Sequence, residues 1–139
     1  MVHNLKFALI VVAVATLTAS CTNDPASSIQ PGSHLQSDSG WRVVLFWDKD
    51  KDETSDYNQY TFFFHDSGVF DAVSSASTTS GTWRITSDDG SQRLVLFISA
   101  TKPLSELNDD WVIVQSDDQK IQLKDDNDTQ LEELVFERI

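Results

Sequence analysis

From Trp41 onward, apolar side chains recur at every second position in short runs that end at turn residues. A two-residue period is the mark of a strand with one buried face, and it leaves a chain few folds to choose from. The runs are Trp41–Trp47, Gln59–His65, Val69–Val73, Gly81–Thr86, Gln92–Ser99, Asp110–Gln115, Lys120–Lys124 and Glu133–Arg138, eight in all. Each is rich in β-branched and aromatic residues and is bounded by Gly, Asp, Asn or Ser. Asp66-Ser67-Gly68 and Asp88-Asp89-Gly90 supply a glycine for tight hairpins, and Asp117-Asp118 is a glycine-free equivalent. Short, evenly spaced strands of this kind predict an antiparallel up-and-down meander.

Strict alternation assigns an inward face. It holds Trp41, Val43, Leu45, Trp47, Tyr60, Phe62, Phe64, Phe70, Ala72, Trp83, Ile85, Leu94, Leu96, Ile98, Trp111, Ile113, Ile121, Leu123, Leu134 and Phe136. Arg42, Thr61, His65, Thr82, Arg84, Arg93, Gln122, Lys124 and Glu137 fall opposite, on a wet face. A remainder of Val44, Phe46, Phe63, Val95, Phe97, Val112, Val114 and Val135 also falls on that outer side, to be covered by loops or tether or left as a patch for a partner. The one helical candidate is a single turn at 103–107, where Leu104 and Leu107 stand three apart and could plug a barrel end. No run of ten residues has a 3.6-residue period, which excludes helical and α/β folds. Eight strands closing on themselves hide the sheet edges, and eight is the number whose interior is just filled by side chains or holds one small ligand. The expected class is therefore all-β, a small barrel over residues 41–139.

The chain begins with a different pattern. Lys6 is followed by an unbroken apolar run, Phe7–Ala15, and then by Thr16-Leu17-Thr18-Ala19-Ser20-Cys21. A basic start, a short apolar centre and small residues at the exit describe a secretory signal over residues 1–20. The run is too short for a spanning helix, which needs ~20 residues. Thr18-Ala19-Ser20-Cys21 resembles the bacterial lipobox, and that resemblance implies lipidation of Cys21. Acylation with three fatty chains would hold the protein to a membrane stably, since two or more chains suffice. Thr22 after the cysteine resembles the sorting signal of outer-membrane lipoproteins, on the periplasmic or surface face. Residues 21–40, rich in Ser, Pro and Gly, read as a flexible tether that stands the domain off the lipid by on the order of 5–6 Å × √19. His34 lies in it with no neighbouring ligand and reads as solvated.

The order of core residues is itself informative. Tyr60-x-Phe62-x-Phe64, then Gly68, Gly81-Thr82-Trp83, Leu104-x-x-Leu107-x-x-x-Trp111, Ile121-x-Leu123 and Leu134-x-Phe136-Glu137-Arg138 together resemble the small lipocalin-like lipoproteins of Bacteroidota. The resemblance covers most of residues 41–139. It implies a compact antiparallel barrel behind a lipobox, in the cell envelope, and no defined activity.

Dedicated chemistry is absent from the pattern. The chain has 10 Lys plus Arg against 22 Asp plus Glu, a net charge of −12, which excludes nucleic acid as a partner. One cysteine makes neither a disulfide nor a thiolate metal site. Asp48-Lys49-Asp50-Lys51-Asp52-Glu53 has acids at alternate places like the start of a calcium loop. Its sixth and twelfth places, however, are Glu53 and Gln59 rather than Gly and Glu, so it reads as a solvated loop, as does Asp125-Asp126-Asn127-Asp128. His65 and Asp66 are neighbours on a strand and point to opposite faces, a poor catalytic pair. The expectation is a noncatalytic protein with no metal, no cofactor and no assigned ligand residues. Its partners would be a membrane, through the lipid anchor, and either a small apolar ligand or an envelope protein. Two readings stay open: a barrel with a ligand lumen, and a structural or interaction module with a filled core.

Overall fold

The computed structural model describes residues 32–127 and 129–139. The signal, Cys21 and the first part of the tether lie outside the described residues. Nine strands follow in order: β1 (Trp41–Asp48), β2 (Lys51–Asp52), β3 (Thr61–Phe64), β4 (Val69–Val73), β5 (Thr78–Asp88), β6 (Ser91–Ile98), β7 (Asp109–Ser116), β8 (Lys120–Lys124) and β9 (Glu132–Arg138). Every pairing is antiparallel. Each strand from β3 to β9 pairs with the next, and β9 returns to β1. The eight expected strands thus close a barrel. The ninth, β2, is a two-residue edge on β1 within the acidic loop that was expected to be unpaired. The short turn over Leu104–Leu107 is present as a 3₁₀ turn with both leucines buried.

Closure is uneven around the wall. β1 and β9 are in register from Trp41↔Arg138 to Asp48↔Glu132, whereas β1 meets β3 at the single pair Trp41↔Phe62. The seam left between β1 and β3 is filled by a 3₁₀ turn at Thr54–Tyr57. The Phe46 amide donates to Thr54 Oγ1 at 2.9 Å, and the Glu53 amide donates to the Phe46 carbonyl at 2.9 Å. Tyr57 is buried there, 5.0 Å from the Phe46 ring.

A β-bulge between Val43 and Leu45 changes which residues face inward. One extra residue on a strand reverses the face of everything after it. Trp41, Val43 and Phe46 are therefore the buried residues of β1, the last two opposite Phe136 and Leu134. Leu45 and Trp47, expected inside, are half-buried on the outer side, and Phe46, expected outside, is 1% exposed. Val135, opposite Leu45, is buried as well. A second bulge, between Ile113 and Gln115, leaves Val114 as the extra residue, 53% exposed. Past it, Ser116 pairs with the buried Ile121. Tyr60, Ile85 and Ile113 are partly buried against the core; apart from Leu45 and Trp47, the other expected inward residues are buried.

The interior is built from rings. Phe62 stacks on Phe70 at 5.6 Å and meets Phe136 edge-on at 5.4 Å. Phe64 contacts Phe70 at 4.9 Å, Trp83 at 5.5 Å and Phe136 at 5.8 Å. These are the spacings at which aromatic pairs attract beyond simple burial. Gly81 is required where β5 presses on β6, because a Cβ there would lie 2.1 Å from the Phe97 carbonyl oxygen.

The bulge makes a direct prediction for urea unfolding. Phe46→Ala should cost ~3–5 kcal/mol, the value for truncating a core phenylalanine, and Trp47→Ala should cost distinctly less. Uninterrupted alternation along β1 would give the reverse order.

Candidate functional site

The axis of the barrel comes first, because a ligand lumen would lie there. Trp41, Phe62, Phe64, Phe70, Trp111, Ile121, Leu123, Leu134 and Phe136 occupy it at 0–2% exposure. Three surface clefts, of about 290, 420 and 570 Å³, border the segment before β1.

That segment departs from the expected tether. Residues 32–40 lie across the barrel end that carries the hairpins at Asp66–Gly68, Asp88–Gly90 and Asp117–Gln119. A 3₁₀ turn at Ser33–Leu35 places Leu35 in the core at 1% exposure. Trp41 Nε1 donates to the Leu35 carbonyl at 2.9 Å. Arg138 donates to the carbonyls of His34 (2.6 Å), Ser39 (3.3 Å) and Asp118 (2.9 Å), with its guanidinium 4.0 Å from the Trp41 ring centroid. His34, expected to be solvated, is half-buried and its Nε2 is hydrogen-bonded to Ser116 Oγ. Ser116 ends β7 at this end, and the bulge puts it on the face of the buried Ile121. In the sequence Leu35 is a lone apolar residue among polar ones, and that was the only signal available.

The opposite end gathers carboxylates. Oxygens of Asp109, Asp125 and Glu132 lie within 4.8 Å of one another, and so do those of Asp48, Glu53 and Glu106. The structure thus joins parts of the two acidic loops to residues from β7, β9 and the 104–107 turn. The second set carries its own cations: Lys51 pairs with Glu53 and Lys102 with Glu106. The first set is held against charge repulsion. Burial raises the Glu132 carboxyl above its ordinary range, and the charges of Asp48 and Asp125 add to the rise. Burial raises Asp109 too, with Asp125 adding. All-oxygen sets suit hard cations, but three carboxylates fall short of the six to eight oxygens that calcium takes.

Arg93 was expected to be wet. It lies on the outer face yet is 8% exposed, with Nη2 2.9 Å from Asp126 Oδ2, Nη1 3.5 Å from Asp110 Oδ2 and Nε 4.0 Å from Asp88 Oδ2. Three acids close over one cation, which binds strands and loop together.

His65 pairs with Asp71, not with its neighbour Asp66. Its Nε2 is 2.9 Å from Asp71 Oδ2, while Ser80 Oγ donates to Asp71 Oδ1 at 2.5 Å. A nucleophilic triad needs the imidazole between hydroxyl and carboxylate. Here the carboxylate stands between hydroxyl and imidazole, so the histidine cannot take the serine proton.

No protein-family model matches the chain, and no curated protein matches it. The chain is similar in structure to a DUF4847 family protein from Bacteroides vulgatus, with a TM-score of 0.49 and 16% identity over 70% of this chain and 90% of that one.

The carboxylate cluster makes stability depend on pH. An acid whose folded-state pKa is raised keeps its proton in the native state after the unfolded chain has lost it, so stability falls as pH rises from the ordinary carboxyl value, about 4, through the folded one. Glu132→Gln should therefore raise the melting temperature at pH 7 by roughly 2–4 °C, the scale of about 0.5 kcal/mol in a domain of this length. The gain should vanish below about pH 4, where both states carry the proton. An equal gain at both pH values would show that repulsion is not its cause.

Proposed function

We propose that the chain is a lipid-anchored, noncatalytic β-barrel lipoprotein of the cell envelope, lipocalin-like in architecture. It would be held to the outer membrane through acylated Cys21, on the periplasmic or surface face, and work as an interaction module with a filled core. The observation that carries the module reading is the ring-packed axis, which occupies the space that a lumen carrier would keep open.

Support for attachment by lipid, rather than by the barrel wall, comes from the strands themselves. A strand that crosses a bilayer needs ~9–11 residues and an apolar outer face. β3, β4 and β8 have four or five residues, and Arg42, Arg84 and Lys124 are exposed. The lipobox-like Thr18-Ala19-Ser20-Cys21 supplies the alternative. The noncatalytic reading is supported by the order of Ser80, Asp71 and His65, in which the imidazole does not reach the hydroxyl.

Fractionation of cells tests the anchor. The wild-type protein should sediment with membranes, and Cys21→Ser should move it to the soluble envelope fraction or the medium. A Cys21→Ser protein that stays with the membrane would contradict attachment through that residue.

A further inference from the structure

The segment before β1 is pinned to the barrel, and the pinning fixes where the chain leaves it. Leu35 is buried in the core, and Trp41 Nε1 donates to its carbonyl at 2.9 Å. Arg138 donates to the carbonyls of His34 and Ser39, and the Ile139 amide donates to the Gly40 carbonyl at 2.9 Å. Gly32 lies tight against β5, where a Cβ would stand 2.9 Å from Ile85 Cγ1 and 3.0 Å from the Trp83 ring. The chain therefore departs at the end that carries the hairpins at Asp66–Gly68, Asp88–Gly90 and Asp117–Gln119. From Gly32 back to Cys21 there are only eleven residue steps (32 − 21). In any conformation those steps reach no further than about 36–40 Å. The wall is nearly as tall: the 11 residues of β5, at ~3.3 Å each and tilted by ~40°, rise roughly 28 Å. With the barrel upside down, the link to the lipid would have to run almost straight down that wall and around its rim. A relaxed chain of the same length spans only about 17–20 Å, and drawing it taut removes conformational freedom.

We propose that the lipid anchor orients the barrel. The hairpin end faces the lipid surface. The opposite pole, which bears the Leu104–Leu107 turn and both carboxylate sets, is the surface presented to an envelope partner. This inference rests on acylation of Cys21 and adds to that reading which face is shown. Charge sets the gap, not the direction. Asp66, Asp88, Asp89, Asp117 and Asp118 are exposed at the lipid-facing end and repel anionic headgroups over a Debye length, about 8 Å at physiological ionic strength. That end is leashed to the lipid rather than adsorbed on it.

The test uses the full acylated chain in phosphatidylcholine vesicles that carry a headgroup-labelled acceptor lipid. Cys21 is the one cysteine of the sequence, and acylation consumes its thiol, so a donor dye couples only to an introduced cysteine. Ser67→Cys places it at the lipid-facing end, and Ala76→Cys and Gln130→Cys place it at the far pole; all three positions are exposed. Energy transfer from position 67 should be at least about twofold more efficient than from 76 or 130, because the far labels stand further from the lipid by about the height of the wall. Inserting about twenty Gly and Ser residues between Cys21 and Gly32 should bring the three efficiencies together, since the longer leash permits inversion. Equal or reversed efficiencies in vesicle-bound protein overturn the orientation and leave the anchor standing. A difference that survives the insertion overturns the short leash as its cause. A chain that does not bind the vesicles at all contradicts the anchoring reading itself and takes this inference with it.

Discussion

The pairing of β9 with β1 is the interaction on which everything else depends. It turns a meander with two open edges into a closed wall and so fixes the volume inside. That volume must then be filled, because an empty interior forfeits dispersion contacts and costs stability with every unfilled cubic ångström. The sequence fills it with large flat side chains, and their edge-to-face contacts fix how they fit. A Phe–Phe–Trp interior leaves little freedom for repacking, and the bulge in β1 follows from the same demand. By shifting phase it brings Phe46 to Trp111 and Tyr57 rather than leaving Leu45 and Trp47 to fill the axis.

Closure by strands alone leaves two ends and a seam, and three 3₁₀ turns deal with them. Leu35 closes one end. Leu104 and Leu107 enter the other, where the Tyr57 hydroxyl donates to the Pro103 carbonyl at 2.9 Å and joins that turn to the one filling the seam. Burial keeps the Tyr57 hydroxyl protonated well beyond its ordinary range, so this link persists at any pH near neutrality. The two ends differ in character. One is shut by a polar segment held on backbone carbonyls, and the other by turns that belong to the barrel's own loops and bear a crown of carboxylates.

Much of the fold could be read from the sequence, because a period of two is a local signal and eight runs carry it. The strands, the antiparallel order, the single helical turn at 103–107 and most of the inward residues follow from it. What escaped was non-local. The bulges at Val44 and Val114 add one residue each without any glycine or proline to mark them, so the faces of Phe46, Trp47 and Ser116 could not be assigned by counting. Leu35 and Tyr57 are single apolar residues in polar stretches, and a lone residue has no period. Arg93 alternates correctly with its neighbours; its burial comes from Asp110 and Asp126, far along the chain. The sequence-stated sites fare differently again. His65 finds its partner across a strand rather than beside it, and the acids of the two loops meet partners from β7, β9 and the 104–107 turn that no spacing connects.

A filled interior is the claim from which the functional reading takes its direction, and a crystal structure under xenon pressure tests it most directly, since xenon enters apolar cavities that water leaves dry. The expected result is β1 paired with β9 and no ordered xenon among Phe62, Phe64, Phe70 and Phe136. Xenon sites lined by those rings would contradict a filled barrel and restore a ligand lumen in its place.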